Sequence, residues 1–187
     1  MKNKYSTYTD RELIDLLKGP KTNSDMAFTE IYDRYSNNVY AYCRRVLNNR
    51  EQAEDIFQET FYQFYNHVND KHPDGSIRGY LITIARNLCL NYKRDTKQTV
   101  QIDELEYLFK TYQDYEEKEL ISIVKMAMEH LDLKYREPLI LRVYNGFGYS
   151  EIAEICEIST VNARALVFRA KLKMKEILKS YLVDLPE

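Results

Sequence analysis

Tryptophan is absent from this chain of 187 residues, glycine and proline are scarce at five and four, and cysteine and histidine number three each. Each shortage excludes something. There is no GxxxxGK[ST], GxGxxG or GxSxG motif, so the chain offers no phosphate cradle, dinucleotide turn or nucleophile elbow. His67 and His72 have no cysteine or third ligand nearby and His130 stands alone, which argues against a zinc site. Cys43, Cys89 and Cys156 are far apart and each falls on an apolar helical stripe, the pattern of reduced core thiols. No apolar run approaches the ~18 residues of a membrane span and no signal peptide is visible, so a cytoplasmic chain without membrane insertion is expected. Paired acids such as Glu54 and Asp55 point to different helical angles, which suits a solvated or docking face better than acid/base chemistry. Neither an enzyme nor a bound cofactor is expected.

With 44% hydrophobic and 30% charged residues, the chain holds one domain or two small ones. Seventeen tyrosines against seven phenylalanines suggest many half-buried rings with a polar tip. A net charge of -2 gives no hint of nucleic acid, so any such signal lies in how the charge is distributed.

That distribution is most uneven between Glu51 and Lys97. In EQAEDIFQETFYQFYNHV, the residues Ala53, Ile56, Phe57, Thr60, Phe61, Phe64, Tyr65 and Val68 step by three and four and predict one buried helical face. The other face carries Glu51, Glu54, Asp55, Gln58 and Glu59. A helix N-terminus favours acids only over its first turn, and Glu59 lies beyond that reach. The loop NDKHPDGSIRG follows, with Ser76 as a candidate N-cap. The next helix buries Ile77, Leu81, Ile84, Ala85, Leu88 and Tyr92. Its remaining surface shows Arg78, Arg86, Asn87, Asn91, Lys93, Arg94 and Lys97 against the single acid Asp95. Long cations neutralise phosphates and amides pair with base edges, so this is the candidate DNA face.

Before this stretch, YTDRELIDLLKGP reads as a short helix capped by Thr9 or Asp10 and stopped at Gly19 and Pro20. Asp25 leads into a long one with Phe28, Ile31, Tyr35, Val39, Tyr42 and Val46 at helical spacing. Four helices thus make a first domain, residues 1–98. Residues 99–119 change character: Asp103, Glu104, Glu106, Asp114, Glu116, Glu117 and Glu119 face only Lys110 and Lys118, which reads as an acidic linker. The helical period returns at Leu120, with Ile121, Val124, Ala127, Met128 and Leu131 on one face. In the following helix, Pro138 is expected within about the first turn. YSEIAEICEIS, capped by Ser150, and TVNARALVFRAKLKMKEILKSYL, capped by Ser159, have the layout of a helix-turn-helix in a second domain, 120–187. The fold class expected is all-α, two small helical domains joined by an acidic linker.

Two of these stretches carry a family resemblance. AEDIFQETF followed by GYLITIARNLCLNYKR resembles the second conserved region of bacterial sigma factors of the extracytoplasmic-function group, whose usual wording is close to AEDLVQETF and WLYRIARNLAIDLLRR. LDLKYREPLILRVYNGFGYSEIAEICEIS resembles the fourth region, typically LPPREREVLLLRYLEGLSYAEIAEILGIS. The resemblance implies that Glu54, Asp55, Gln58 and Glu59 dock on the beta-prime coiled-coil clamp of core RNA polymerase, with the beta flap as a second contact. It implies that the 66–76 loop, with Arg78, Arg86, Asn87, Asn91, Lys93 and Arg94, melts and reads the minus-10 element of promoter DNA. Asn162, Arg164, Arg169, Lys171 and Lys173 would then serve the upstream box.

The recognition helix departs from the family wording. Glu157 stands where glycine is usual in the turn; Thr160, Val161, Asn162 and Ala163 replace Glu-Gly-Thr-Val; Arg164, Ala165 and Leu166 replace Lys-Ser-Arg. Few side chains remain to pair with base edges, and the apolar ones either pack the domain or form a surface for a DNA-bound recruiting protein. An alternative function keeps the sigma fold but acts as an interaction module, for example by sequestering an anti-sigma factor.

Overall fold

The structure, a computed structural model, describes residues 5–68, 76–96 and 116–182, and every regular element among them is helical. The chain divides into two compact units, Met1–Lys93 and Arg94–Glu187.

In the first unit, α1 (Asp10–Leu17) opens on a capping box. Thr9 Oγ1 accepts the Glu12 N–H at 3.3 Å and the Glu12 carboxylate accepts the Thr9 N–H at 2.6 Å. Thr9 is therefore the cap, which leaves the Asp10 carboxylate for another partner. α2 (Lys21–Leu47) starts directly after Pro20, ahead of the Asp25 start expected from the sequence, because proline fits the entry to a helix without losing a hydrogen bond. Arg34 on α2 ties down the preceding segment: its guanidinium donates to the Glu30 carboxylate at 2.7 Å and to the carbonyls of Tyr8 and Tyr5 at 2.7 and 2.9 Å. α2 ends on Asn48 in the left-handed region, at φ 58°. α3 (Arg50–His67) begins with Asn49 accepting the Gln52 N–H at 3.1 Å.

α4 (Ile77–Thr96) is entered as expected, with Ser76 Oγ accepting the Gly79 N–H at 3.0 Å. Its buried stripe differs from the one expected. Ile77, Leu81 and Ala85 are buried as read, but Ile82 and Cys89 join them, while Ile84, Leu88 and Tyr92 are only half-buried. Apolar residues occur nearly all round this helix, so periodicity alone leaves its rotation open. Tyr42, Phe64, Leu13, Ile31 and Leu81 are among the fully enclosed side chains that form this unit's core.

The second unit holds α5 (Glu116–Glu129), α6 (Leu133–Val143), α7 (Tyr149–Cys156) and α8 (Thr160–Leu182). α5 begins at Glu116 rather than Leu120, and Ala127, Met128 and Leu131 are buried as read while Val124 is half-buried. The side chain of Ile121 and the linker residues 99–115 lie outside the described residues. Pro138 lies in the second turn of α6, past the first turn expected, so the Lys134 carbonyl loses its helical donor.

Ser150 does not cap α7. Gly148 is the cap, and its N–H donates to the Glu151 carboxylate at 2.7 Å, because the helix starts one residue before Ser150. α7 closes on Glu157 at φ 56°, with the Ile158 N–H reaching back to the Ala153 carbonyl at 2.9 Å in a Schellman turn. Ser159 then accepts the Asn162 N–H at 3.2 Å and starts α8 as expected. Cys43, Cys89 and Cys156 are buried, and none of them is in a disulfide among the described residues.

Candidate functional site

Three surfaces carry the residues singled out in the sequence. The first is the outer face of α3. Asp55, Gln58 and Glu59 are exposed, and Glu54 is partly so. Glu54 is not a free acid: Arg50 donates to it at 2.8 Å, a hydrogen bond that holds the Glu54 carboxyl below its usual range. Gln63 donates to Glu59 at 2.8 Å. The net acidic surface is thus concentrated on Asp55 and Glu59, with Glu51 above them.

Beside it lies an aromatic surface at positions where the helical spacing predicts core. Phe57 is half-buried and Tyr65 exposed. Phe57 packs edge-on against Tyr32, Tyr40 and Phe61, and Phe28 packs edge-on against Tyr65. Tyr62 is 65% exposed. The signal available in the sequence was the tyrosine at 65, a ring with a polar tip in an otherwise apolar stripe.

The second surface is α4. Asn87, Asn91 and Arg94 are exposed, and their i, i+4, i+7 spacing puts them on one line. Arg94 also pairs with Asp95 at 3.3 Å. Arg86 and Lys93 are half-buried on the flank of that line, and Arg78, also half-buried, lies on the side of the helix that carries Leu81 and Ala85. The structure therefore brings three of the six residues together as a solvent-facing row. Residues 69–75, most of the loop expected to melt and read the minus-10 element, lie outside the described residues.

The third surface is the helix-turn-helix. Asn162, Arg164, Arg169, Lys171 and Lys173 are all exposed on α8. They do not act as one group. The Arg164 guanidinium stacks 5.3 Å from the Tyr149 ring centre at the start of α7, and Arg142 stacks on the same ring at 4.9 Å. Arg142 also donates to the Phe147 carbonyl at 2.9 Å, so two cations are held at the helix-turn-helix entry. Sequence reasoning missed Arg142 and Tyr149 because nothing local links them to Arg164. Lys173 lies 5.3 Å from the Tyr135 ring. Lys171 borders a groove of about 690 Å³ between α5, α6 and α8, lined by Val124, Met128, Leu139, Val143 and Met174 and rimmed also by Lys175 and Lys179.

The family described as Sigma-70 region 2 matches residues 31–99, and Sigma-70, region 4 matches residues 121–174. The chain is 30% identical over 156 residues to the ECF RNA polymerase sigma factor SigM of Bacillus subtilis (strain 168), covering 81% of this chain and 95% of that protein. It is 34% identical over 154 residues to the RNA polymerase sigma factor YlaC of the same organism, covering 79% and 89%. Among solved structures, CnrH in complex with the cytosolic domain of CnrY shares its fold with a TM-score of 0.69 at 20% identity, covering 91% of this chain and 97% of that one. The sigma factor RpoE in complex with the anti-sigma factor NepR from Bartonella quintana gives 0.67 at 22% identity, covering 81% and 96%. With two matching regions in order and relatives aligned over most of their length, the chain belongs to the extracytoplasmic-function group of the sigma-70 family of RNA polymerase sigma factors.

Proposed function

We propose that this sigma factor binds core RNA polymerase through the exposed acidic row of α3 and its neighbouring aromatic rings, and opens promoter DNA through the amide and cation row of α4. The observation that carries this reading is that α3 and α4, consecutive helices in the chain, each expose one of the rows. Asp55 and Glu59 are open to a basic partner, while Asn87, Asn91 and Arg94 are open to a strand of DNA. The beta-prime clamp is the partner of the first row and the minus-10 element that of the second. The apolar groove of the second unit, with its lysine rim, suits the beta flap as a further polymerase contact. α7 and α8 take the upstream box, with Arg142 and Arg164 at the phosphate backbone. The chain acts by binding, in the cytoplasm, without catalysis of its own.

An anti-sigma factor is the regulatory partner we assign to it, since RpoE and CnrH, which share the fold, were solved with NepR and with the cytosolic domain of CnrY. The alternative, a sigma-fold module that only sequesters a partner, leaves the exposed row of Asn87, Asn91 and Arg94 without a use.

The test is co-purification of the full chain with core polymerase, followed by promoter opening. Exposed charges contribute little to stability, within about 0.5 kcal/mol. Asp55→Lys with Glu59→Lys should therefore melt like the parent yet lose core affinity. Parent-like affinity in a folded double variant would remove α3 from the polymerase interface.

A further inference from the structure

α8 has two apolar faces. Ala163, Val167, Ala170 and Met174 are buried and form the face toward the domain core. Val161, Phe168 and Leu172 are 80%, 62% and 46% exposed, so they do not pack the domain. Their i, i+7, i+11 spacing sets them on one line along the helix, on the side opposite that core face. Cations border the line on both sides, Arg164 and Lys171 on one and Arg169 and Lys173 on the other, all exposed, and between Thr160 and Glu176 the only acid is Glu176 itself.

A central row between two cationic edges matches the major groove of duplex DNA. That groove, about 12 Å wide, admits one helix and is bounded by a phosphate backbone on each side. The edge cations meet the phosphates, and the central row faces the base edges. Val161, Phe168 and Leu172 have no hydrogen-bonding side-chain atom. The base-edge group that rewards apolar contact in this groove is the 5-methyl of thymine. From the reading that α8 lies on the upstream promoter box, we infer that Val161 and Phe168, with Leu172 at the outer end, recognise thymine methyl groups there. The rise from Val161 to Phe168 is roughly 10 Å, which separates the two contacted thymines by about three base-pair steps. This supplies sequence preference where hydrogen-bonding side chains are few. An acidic amphipathic helix of another protein would meet the same charges, but a cationic edge on each side of the second helix of a helix-turn-helix favours DNA.

The test uses holoenzyme formed from the full chain and core polymerase. It selects from a duplex library that is randomised upstream of a constant minus-10 region and made in parallel with thymidine or deoxyuridine, which differ by the methyl alone. The thymidine library should enrich A·T pairs about three steps apart. That enrichment should fall by about fourfold for each methyl lost in the deoxyuridine library. Val161→Ser with Phe168→Ala, both at exposed positions, should fold normally by circular dichroism and lose the preference. Equal enrichment from the two libraries, or parent-like selection by that variant, overturns the inference and returns the stripe to a protein partner. Arg164→Ala with Arg169→Ala and Lys173→Ala separates the two levels. If it loses upstream selection while uracil is neutral, α8 stays on DNA and only thymine reading fails. If it selects like the parent, the placement of α8 on the upstream box fails too.

Discussion

The Asp10 carboxylate, in the first turn of α1, accepts the backbone N–H of Ile77, the first residue of α4, at 3.0 Å. Its other oxygen accepts the Tyr35 hydroxyl at 2.6 Å, and Arg34 stands 3.9 Å away. One side chain thus joins α1, α2 and the start of the helix that carries the DNA row. Asp10→Ala removes a capping acceptor and leaves a part-buried N–H unpaired, which costs about 1 to 2 kcal/mol. The expected result is a lower urea midpoint and faster hydrogen exchange at Ile77. Asp10→Asn, which keeps an acceptor, should lose less.

Tyr35 gives this junction a pH dependence. Burial, and then the hydrogen bond to Asp10, push its hydroxyl from the ordinary value of 10.0 up to about 12. Between those values the folded chain keeps a proton that the unfolded chain has released, so stability falls as pH rises. The contribution is complete below pH 10 and lost by about pH 12. Tyr35→Phe should flatten the decline of Tm across that window relative to the parent. An identical decline in both would show that Tyr35 does not titrate late.

Asn87, Asn91 and Arg94 should differ in what they contribute to binding of single-stranded minus-10 DNA. Amide pairing with base edges is worth about 1 to 3 kcal/mol each, so Asn87→Ala or Asn91→Ala should weaken the preferred sequence roughly tenfold and flatten discrimination. Arg94→Ala, removing a phosphate contact, should weaken all sequences alike and lower the salt slope by about 0.7. Arg78→Ala, on the side of Leu81, should leave sequence preference unchanged. Fluorescence anisotropy with matched and scrambled strands at several salt concentrations separates these outcomes.

Glu157 occupies a left-handed conformation at φ 56°, which costs a side chain with a Cβ roughly 1 kcal/mol or more and costs glycine little. Glu157→Gly should therefore stabilise the second unit by about 1 kcal/mol, raising its Tm by about 4 to 8 °C. It also removes a carboxylate from the helix-turn-helix turn, so affinity for duplex upstream DNA should rise. A lower Tm would mean that the Glu157 side chain makes a stabilising contact that its backbone conformation does not reveal.

The helices were legible because apolar residues at three- and four-residue intervals have no other stable use in so polar a chain, and because Thr9, Ser76 and Ser159 sit where helix starts need a cap or an opening turn. The two sigma regions were legible for a different reason: AEDIFQETF and SEIAEICEIS are each a run of neighbouring residues. Glu157 is a local case as well, since the Schellman turn that closes α7 needs a left-handed residue whatever packs around it.

Rotation of the helices and long-range partners were decided only by the tertiary structure. α4 is apolar on nearly every side, and which residues are shielded depends on the neighbours packed against it, so Ile82 and Cys89 went in while Ile84 and Leu88 stayed half-buried. Phe57 and Tyr65 fit the α3 stripe by spacing, yet they pack on α2 rings at the edge of the core, half-buried and exposed respectively. On α8 the same ambiguity was the functional question. Val167 and Val161 are the same residue type on one helix, one buried and the other almost fully exposed, because the core takes up only one face of a helix that offers two. The bond from Asp10 to Ile77 spans most of the first domain. No local pattern encodes it, because it exists only once the start of α1 and the start of α4 have been brought together.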